Sequence, residues 1–246
     1  MPIIYLSPST QENNYFVNGG TEEQYMNLLA DKMVPYLDAS GIRYVRNTPN
    51  MTAVSSIAAS NAGNYDLHLA LHSNAAPEGR YGTARGSIVF YYPGSTQGQL
   101  AARTIADGLK AIYPNPNLVR AEATTAIGEV RRVKAPSVFL ELAFHDNLED
   151  ANWIKNNLDL IARNLVLSLT EYFDIPFFER EENLSGTVDV SWGALNIRAR
   201  PTPDAPILAQ APDGSPLNII NRANGWYLVD YNGTIGYAKG DFITLN

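Results

Sequence analysis

Histidine is scarce in this chain: His68, His72 and His145 are the full set. His72 closes the run DLHLALH and is followed by SNAA, a turn that sets it at the carboxyl edge of a strand, where open α/β sheets bind ligands. His68 lies four residues upstream on the same strand face, about 13 Å deeper at ~3.3 Å per residue. One ion cannot join both while the strand stays regular, so His68 reads as structural. Glu141 sits inside APSVFLELAFHDN. An ionised carboxylate in an apolar strand loses its hydration, so Glu141 must face a polar cleft, be paired, or stay neutral with a raised pKa. A raised carboxylate pKa is what a general base or acid requires near neutral pH. Glu22 and Glu23 open the segment TEEQYMN, where helix dipole and capping already favour acidic residues. The loop SPSTQENN, residues 7–14, offers Gln11 and other hydrogen-bonding side chains but no histidine.

The elements that must position these residues alternate up to about residue 174. Segments 3–6, 42–45, 65–72, 86–92 and 136–144 have the β-branched and apolar content of strands. Segments 22–40, 52–62 and 97–113 have helical spacing, and 147–173 reads as the longest helix. Pro35 inside the first helical pattern is expected to kink or split it. The alternation predicts an α/β fold with a mostly parallel twisted sheet flanked by helices. Residues 175–185 carry a proline, charges and a glycine nearby, and read as a linker. From 186 to 246 the runs are short and the turn residues dense, with Asp213-Gly214, Asn224-Gly225 and Asn232-Gly233 as turn signals, predicting a small all-β module.

The net charge of −7 and the absence of clustered Lys and Arg argue against a nucleic-acid or anionic-membrane partner. The chain has no cysteine, which removes disulfides, thiol catalysis and Cys-ligated metals. Its start lacks the pattern of a signal peptide, and no run approaches the ~18 apolar residues of a membrane helix. No HExxH pair occurs, which disfavours an unrelated zinc peptidase.

Together these pieces give residues 2–174 a resemblance to the zinc-dependent N-acetylmuramoyl-L-alanine amidases of the amidase-3 type. EQYMN, LHSNA and VFLELAFHDNLED carry it, with GEVRRVKAPSVFLEL leading into the last. The resemblance implies Glu23 and His72 as zinc ligands and Glu141 as the catalytic residue. The loop at 7–14 occupies the place of the family's first histidine-bearing loop but departs from it, since the histidine slot falls on Thr10 or Gln11. Three arrangements stay open: Gln11 supplies a carboxamide oxygen, His145 swings in, or the site is metal-poor and inactive. The first is the expectation, giving Glu23, His72 and Gln11 around zinc. Arg131 and Arg132 read as solvated surface charge, with contact to stem-peptide carboxylates as the alternative.

Residues 186–246 resemble bacterial SH3-like wall-binding domains, carried by ALNIRARPTPDAPIL and NGWYLVDYNGTIGYAKGDFI. Exposed Trp and Tyr would form the contact surface, and Trp226 reads as core. The domains are thus expected at 1–174 (catalytic), 175–185 (linker) and 186–246 (SH3-like). The implied function is a monomeric, wall-acting hydrolase of peptidoglycan or muropeptides that cleaves the amide between N-acetylmuramic acid and L-alanine. The alternative is a degenerate amidase fold that binds wall fragments without cutting them.

Overall fold

A computed structural model describes residues 1–179, 184–223 and 225–246. Part of the expected linker, residues 180–183, and Asn224 of one expected turn lie outside the described residues. The chain forms two compact units, one of Pro2–Val34 with Tyr44–Tyr172, the other of Met1, Pro35–Arg43 and Phe173–Asn246.

The first unit is built on a six-stranded sheet. Its elements in chain order are β1 (Ile3–Pro8), α1 (Glu22–Ala39), β2 (Arg43–Arg46), α2 (Ala53–Ala62), β3 (Leu67–Asn74), β4 (Ser87–Tyr91), α3 (Thr96–Ile112), β5 (Val119–Ala123), α4 (Gly128–Arg131), β6 (Ser137–Phe144), α5 (Leu148–Asn156) and α6 (Leu158–Tyr172). The strand order is β2-β1-β3-β6-β4-β5. β3 runs parallel to both β1 and β6, and β4 parallel to β5, but β4 meets β6 antiparallel. The sheet is therefore mixed, with its parallel core formed by β1, β3 and β6.

Strand alternation divides this core into two faces. Register pairs Tyr5 with His68 and Ser7 with Ala70 on one side of β3, and His68 with Ser137, Ala70 with Phe139 and His72 with Glu141 on the other. These residues share one face, so every polar candidate on the core strands falls on the same side. α2 and α4 cover it: Ser56 of α2 hydrogen-bonds Ser7, Ser60 bonds His68, and the Glu129 carbonyl of α4 accepts from Ser137. The intervening residues Ile4, Leu6, Leu67, Leu69, Leu71, Val138 and Leu140 belong to the other face and are fully buried. That apolar burial, worth roughly 1.5–3 kcal/mol for each such side chain, anchors the strands that carry the polar set.

Several expectations change. Of the two outcomes expected at Pro35, the split does not occur, since α1 runs unbroken through it. The expected helix over 147–173 divides at Asn157, whose side-chain Nδ2 donates to the Trp153 carbonyl at 2.8 Å and whose backbone leaves helical geometry at φ −126°. β5 and α4 were not expected; both are short, the former with alternating charges in VRAEA. No helix among the described residues is long and apolar enough to cross a membrane.

The second unit carries a seven-stranded sheet of β7 (Leu184–Val188), β8 (Ala194–Arg198), β9 (Ile207–Pro212), β10 (Pro216–Ala223), β11 (Trp226–Tyr231), β12 (Thr234–Lys239) and β13 (Ile243–Leu245). Its order is β13-β7-β10-β11-β12-β8-β9, with antiparallel pairing throughout. Val188, Leu195, Ile197, Leu217, Ile219 and Val229 pack in its core. Asn232 and Gly233 both take positive φ, 52° and 82°, which lets the predicted two-residue hairpin between β11 and β12 close with the strands' own twist.

Candidate active site

The site forms where β3 and β6 end side by side. His72 and Glu141 are direct register partners on these parallel strands, and both face the α2–α4 side. Thr21 precedes α1, and its Oγ1 accepts from the Gln24 N–H at 3.2 Å, so Glu22 enters the first helical turn. The Glu22 backbone N–H donates to the Asn14 carbonyl at 2.8 Å, which ties that turn to the loop after β1.

The carboxylate that meets His72 is Glu22, the neighbour of the expected Glu23. Glu22 Oε1 lies 2.7 Å from His72 Nδ1, with Glu22 only 1% exposed. Neighbouring residues on a helix are turned about 100° apart, so the same packing leaves Glu23 off the cluster and partly exposed. Asn27 fixes this orientation from the next turn, donating through Nδ2 to the carbonyls of Ser9 and Glu23. The motif was legible; which of two adjacent carboxylates turns inward was not.

Gln11 does reach the cluster, with Nε2 3.2 Å from His72 Nδ1 and 3.4 Å from Glu22 Oε1. Its carboxamide oxygen is turned the other way and accepts from Asn14 Nδ2 at 3.0 Å. Asn14 also donates to Glu22 Oε2 at 2.6 Å. To ligate a cation beside His72, the Gln11 amide must turn over and release Asn14. His145 is directed elsewhere: Nδ1 lies 3.0 Å from both the hydroxyl and the carbonyl of Ser73, and the ring stacks on Phe16. Arg131 and Arg132 are exposed, in keeping with solvated charge.

Behind His72 lies a carboxylate to which the sequence reading gave no role. Glu129, from the short helix α4, is 4% exposed and faces both β3 histidines. Its Oε2 is 3.5 Å from His72 Nε2, and its Oε1 is 3.2 Å from His68 Nε2 and accepts from the Ser7 hydroxyl at 2.6 Å. His68 is fully buried, with Nδ1 2.9 Å from Ser60 Oγ and its ring stacked on Tyr5. It is thus joined to the site through Glu129.

The electrostatics follow from this packing. Burial pulls the His72 pKa down, but hydrogen bonding and charge from Glu129 and Glu22 outweigh it and raise the value to about 9. Burial works against ionised Glu129 as well, yet His68 and His72 hold it down at about 2. Glu22 is likewise lowered, against its burial, first by the hydrogen bond from His72. Glu141 goes the other way. Burial raises it to about 7, the His72 charge opposing this and the Glu22 charge adding to it. One of its oxygens, Oε2, is enclosed without a hydrogen-bond partner, although the residue as a whole is partly exposed. A carboxyl group poised near neutrality, beside a histidine at a sheet edge, can exchange a proton with a reacting group.

A cavity of about 400 Å³ opens against His72 and Glu129, lined on its other sides by Ser9, Gln11, Asn47 and Phe139. Asn47 contributes a buried oxygen, Oδ1, that has no partner. Phe139 stacks on the His72 ring at 4.2 Å between centroids and fixes its plane.

Among the described residues, no three His, Asp or Glu side chains gather as a metal-holding group. Two strong donor types, Glu22 Oε1 and His72 Nδ1, do meet at one point, with the Gln11 carboxamide beside them. Oxygen and imidazole donors of this kind suit zinc, and the second ring nitrogen already faces a carboxylate, the support that metal-bound histidines usually have.

Comparison with known proteins agrees with this architecture. A family model described as N-acetylmuramoyl-L-alanine amidase matches residues 9–171, and one described as bacterial SH3 domain matches residues 193–244. Among solved structures, the catalytic domain of the amidase CwlV from Bacillus (Paenibacillus) polymyxa var. colistinus superposes with a TM-score of 0.62 at 12% identity. It covers 72% of this chain and 100% of that one. The amidase AmiC2 of Nostoc punctiforme gives 0.61 at 13% identity, over 70% of this chain and 97% of that one. The catalytic domain of the CD27L endolysin targeting Clostridia difficile gives 0.58 at 22% identity, over 70% and 98%. In sequence, YrvJ of Bacillus subtilis (strain 168), provisionally named an N-acetylmuramoyl-L-alanine amidase, is 36% identical over 59 residues, 24% of this chain; the chain spans only 11% of that relative's length. The match over 9–171 takes in more than half of the chain, the mixed sheet apart from β1, and the whole His72 cluster, and by it the chain belongs to the amidase-3 family of N-acetylmuramoyl-L-alanine amidases.

Proposed function

We propose that this protein hydrolyses peptidoglycan at the amide between N-acetylmuramic acid and the L-alanine of the stem peptide. The observation that carries the reading is the meeting of Glu22, His72 and Glu141 at the end of β3 and β6. We assign residues 1–174 to the catalytic domain, 175–185 to a linker and 186–246 to the wall-binding domain, whose first strand, β7, already begins at Leu184.

Glu22, His72 and, after its amide turns, Gln11 would hold a zinc ion at this point. When bound, the ion supplies Lewis-acid polarisation and lowers the pKa of a water. Glu141 does the proton work. Its carboxylate takes a proton from the attacking water and delivers it to the departing alanine amine, and a pKa near neutrality suits both halves of that exchange.

In the second unit, a cavity of about 680 Å³ is lined by Trp192, Trp226, Phe242, Arg198 and Lys239. Trp192 is 88% exposed, and Trp226, expected in the core, is only partly buried and contributes to this lining. Aromatic faces beside two cations suit carboxylate-bearing stem peptides in the cell wall, and we assign wall binding to this groove.

A second reading, a wall-binding protein that does not cut, is favoured by one feature: the loop at 7–14 brings no histidine to the cluster. Release of free amino groups from purified peptidoglycan, with and without added zinc, separates the two. The hydrolase reading expects zinc-dependent release that Glu141→Gln abolishes. Wall pelleting without any release would establish the binding reading instead.

A further inference from the structure

The groove in the second unit is cationic in an acidic chain. The sequence holds 25 acidic against 18 basic residues, yet among the described residues no Asp or Glu lines this cavity of about 680 Å³, while Arg198 and Lys239 both do. Strand alternation explains how the two meet. On β8, Leu195 and Ile197 enter the core, so Asn196 and Arg198 stand on the opposite face. Arg198 pairs with Tyr237 of β12, two residues before Lys239, which makes the cations diagonal neighbours about 7–8 Å apart at the backbone. Like charges so placed repel, and one bound anion relieves both.

Neither cation is used up within the fold. Arg198 commits Nη1, which donates to the Ala205 carbonyl at 2.8 Å. That bond holds the guanidinium still, and its other donors meet no protein acceptor among the described residues. Lys239 pairs with Asp241 at 3.6 Å, both side chains being exposed, a contact worth little in water. Its Nζ also lies 5.7 Å from the ring centroid of Trp226, its cross-strand partner on β11. Beside the cations, Gln210 of β9 donates through Nε2 to Asn196 Oδ1 at 2.9 Å, across a registered pair. Whichever way these two amides are turned, one NH2 group and one carbonyl oxygen stay unmatched, the two groups that a peptide unit needs opposite it. Trp192 lines the groove 88% exposed, on a turn that Gly193 makes at φ 77°. An indole left so bare has most of its apolar face available to a ligand.

We propose that the groove binds the free end of a peptide: the terminal carboxylate lies between Arg198 and Lys239, the last amide meets the Asn196–Gln210 pair, and Trp192 packs on the adjoining side chains. The inference rests on the wall-binding reading of this groove and narrows it to stem peptides whose end carboxyl is unmodified. A stem end converted to an amide, by linkage to a neighbour or otherwise, presents no charge to the two cations and is passed over.

The test uses the full chain and three probes: diacetyl-Lys-D-Ala-D-Ala, the same peptide as its C-terminal amide, and acetyl-Ala-Glu-Ala-amide, whose one carboxylate is on a side chain. Affinity is read by calorimetry, and binding to purified wall sacculi by pelleting. We expect the free acid to bind about tenfold more tightly than either amide, as one charge-assisted contact at a partly exposed site should give. Lys239→Gln and Arg198→Gln should each erase most of that preference, and Trp192→Ala should weaken all three peptides alike. Should Arg198→Gln disturb the loop held at Ala205, Lys239→Gln carries the same comparison. Equal affinity for acid and amide, a preference unmoved by Lys239→Gln, or no affinity for the free acid overturns the inference. So does a side-chain carboxylate bound as tightly as the terminal one, or glycerol 3-phosphate bound more tightly than both. If sacculi still pellet the protein in those cases and Trp192→Ala abolishes pelleting, the wall-binding reading of the groove stands without the peptide end. Protein that binds the free acid but leaves sacculi unbound would sink the wall reading and keep the peptide-end site.

Discussion

Two carboxylates in the first unit, the fully buried Asp150 and the partly exposed Glu141, meet opposite fates. Asp150 is fully buried, and its oxygens accept from four groups: Tyr113 Oη and Arg85 Nε on one, the backbone N–H groups of Gly86 and Phe144 on the other. Every lone pair is engaged, so the group acts as a clamp tying the start of α5 to the end of β6 and the entry of β4. Glu141 sits nine residues earlier, in the apolar strand β6 rather than a helix, and keeps one enclosed oxygen with no partner. Its pKa is raised to about 7, mainly by burial. A satisfied buried carboxylate stabilises a fold, whereas an unsatisfied one costs stability and persists where a reaction uses it.

The largest difference should appear in activity. Glu141→Gln is expected to lower amide hydrolysis by about 10²–10⁴-fold, with thermal stability unchanged or slightly higher because an ionisable group without a partner has been neutralised. Comparable hydrolysis by the variant would remove Glu141 from the chemistry. Asp150→Ala is the converse. It leaves the Tyr113 hydroxyl, Arg85 and two backbone N–H groups without their acceptor, and denaturant melts should show a loss of about 3–5 kcal/mol. A melt indistinguishable from the native one would show that the clamp contributes nothing.

A smaller contrast lies within the first turn of α1. Glu22→Gln should abolish zinc uptake measured by equilibrium dialysis, while Glu23→Gln should leave it unchanged. The reverse pattern would restore the motif-based assignment to Glu23. Smallest is the pH response of the metal-free protein. Glu141 and His72 have folded pKa values of about 7 and 9, above their ordinary 4.5 and 6.5. Their contribution is therefore complete below those ordinary values and is lost as pH rises through 7 and then 9. Glu22 and Glu129 are lowered, so theirs is present above 4.5 and, for Glu129, is lost as pH falls through about 2. Melting temperature should thus peak near pH 5 and decline toward pH 9, and Glu141→Gln should remove the part of that decline centred near 7.

Much of this was legible in sequence, because period and composition report local physics. The run LHLALH had to be a buried strand, although β3 continues two residues past the histidine expected to close it, to Asn74. The hairpin at Asn232-Gly233 follows from two residues that tolerate positive φ. The break at Asn157 was less visible, since an asparagine that bonds back to its own helix leaves no mark on apolar spacing. Glu129 gave no signal at all. A lone glutamate in GEVRR resembles any solvated charge until two histidines from a distant strand are laid against it.

By itself the sequence determined the layered α/β unit, the antiparallel β unit and the face of β3 and β6 on which His72 and Glu141 would lie, because strand alternation admits only two choices and burial selects one. Tertiary structure alone decided that Glu22 rather than Glu23 turns inward, that the Gln11 amide presents its nitrogen, and that Glu129 closes the cluster from behind. Those outcomes depend on how a helix rotates and a loop settles against the sheet, and such rotations are fixed by contacts between residues far apart in the chain.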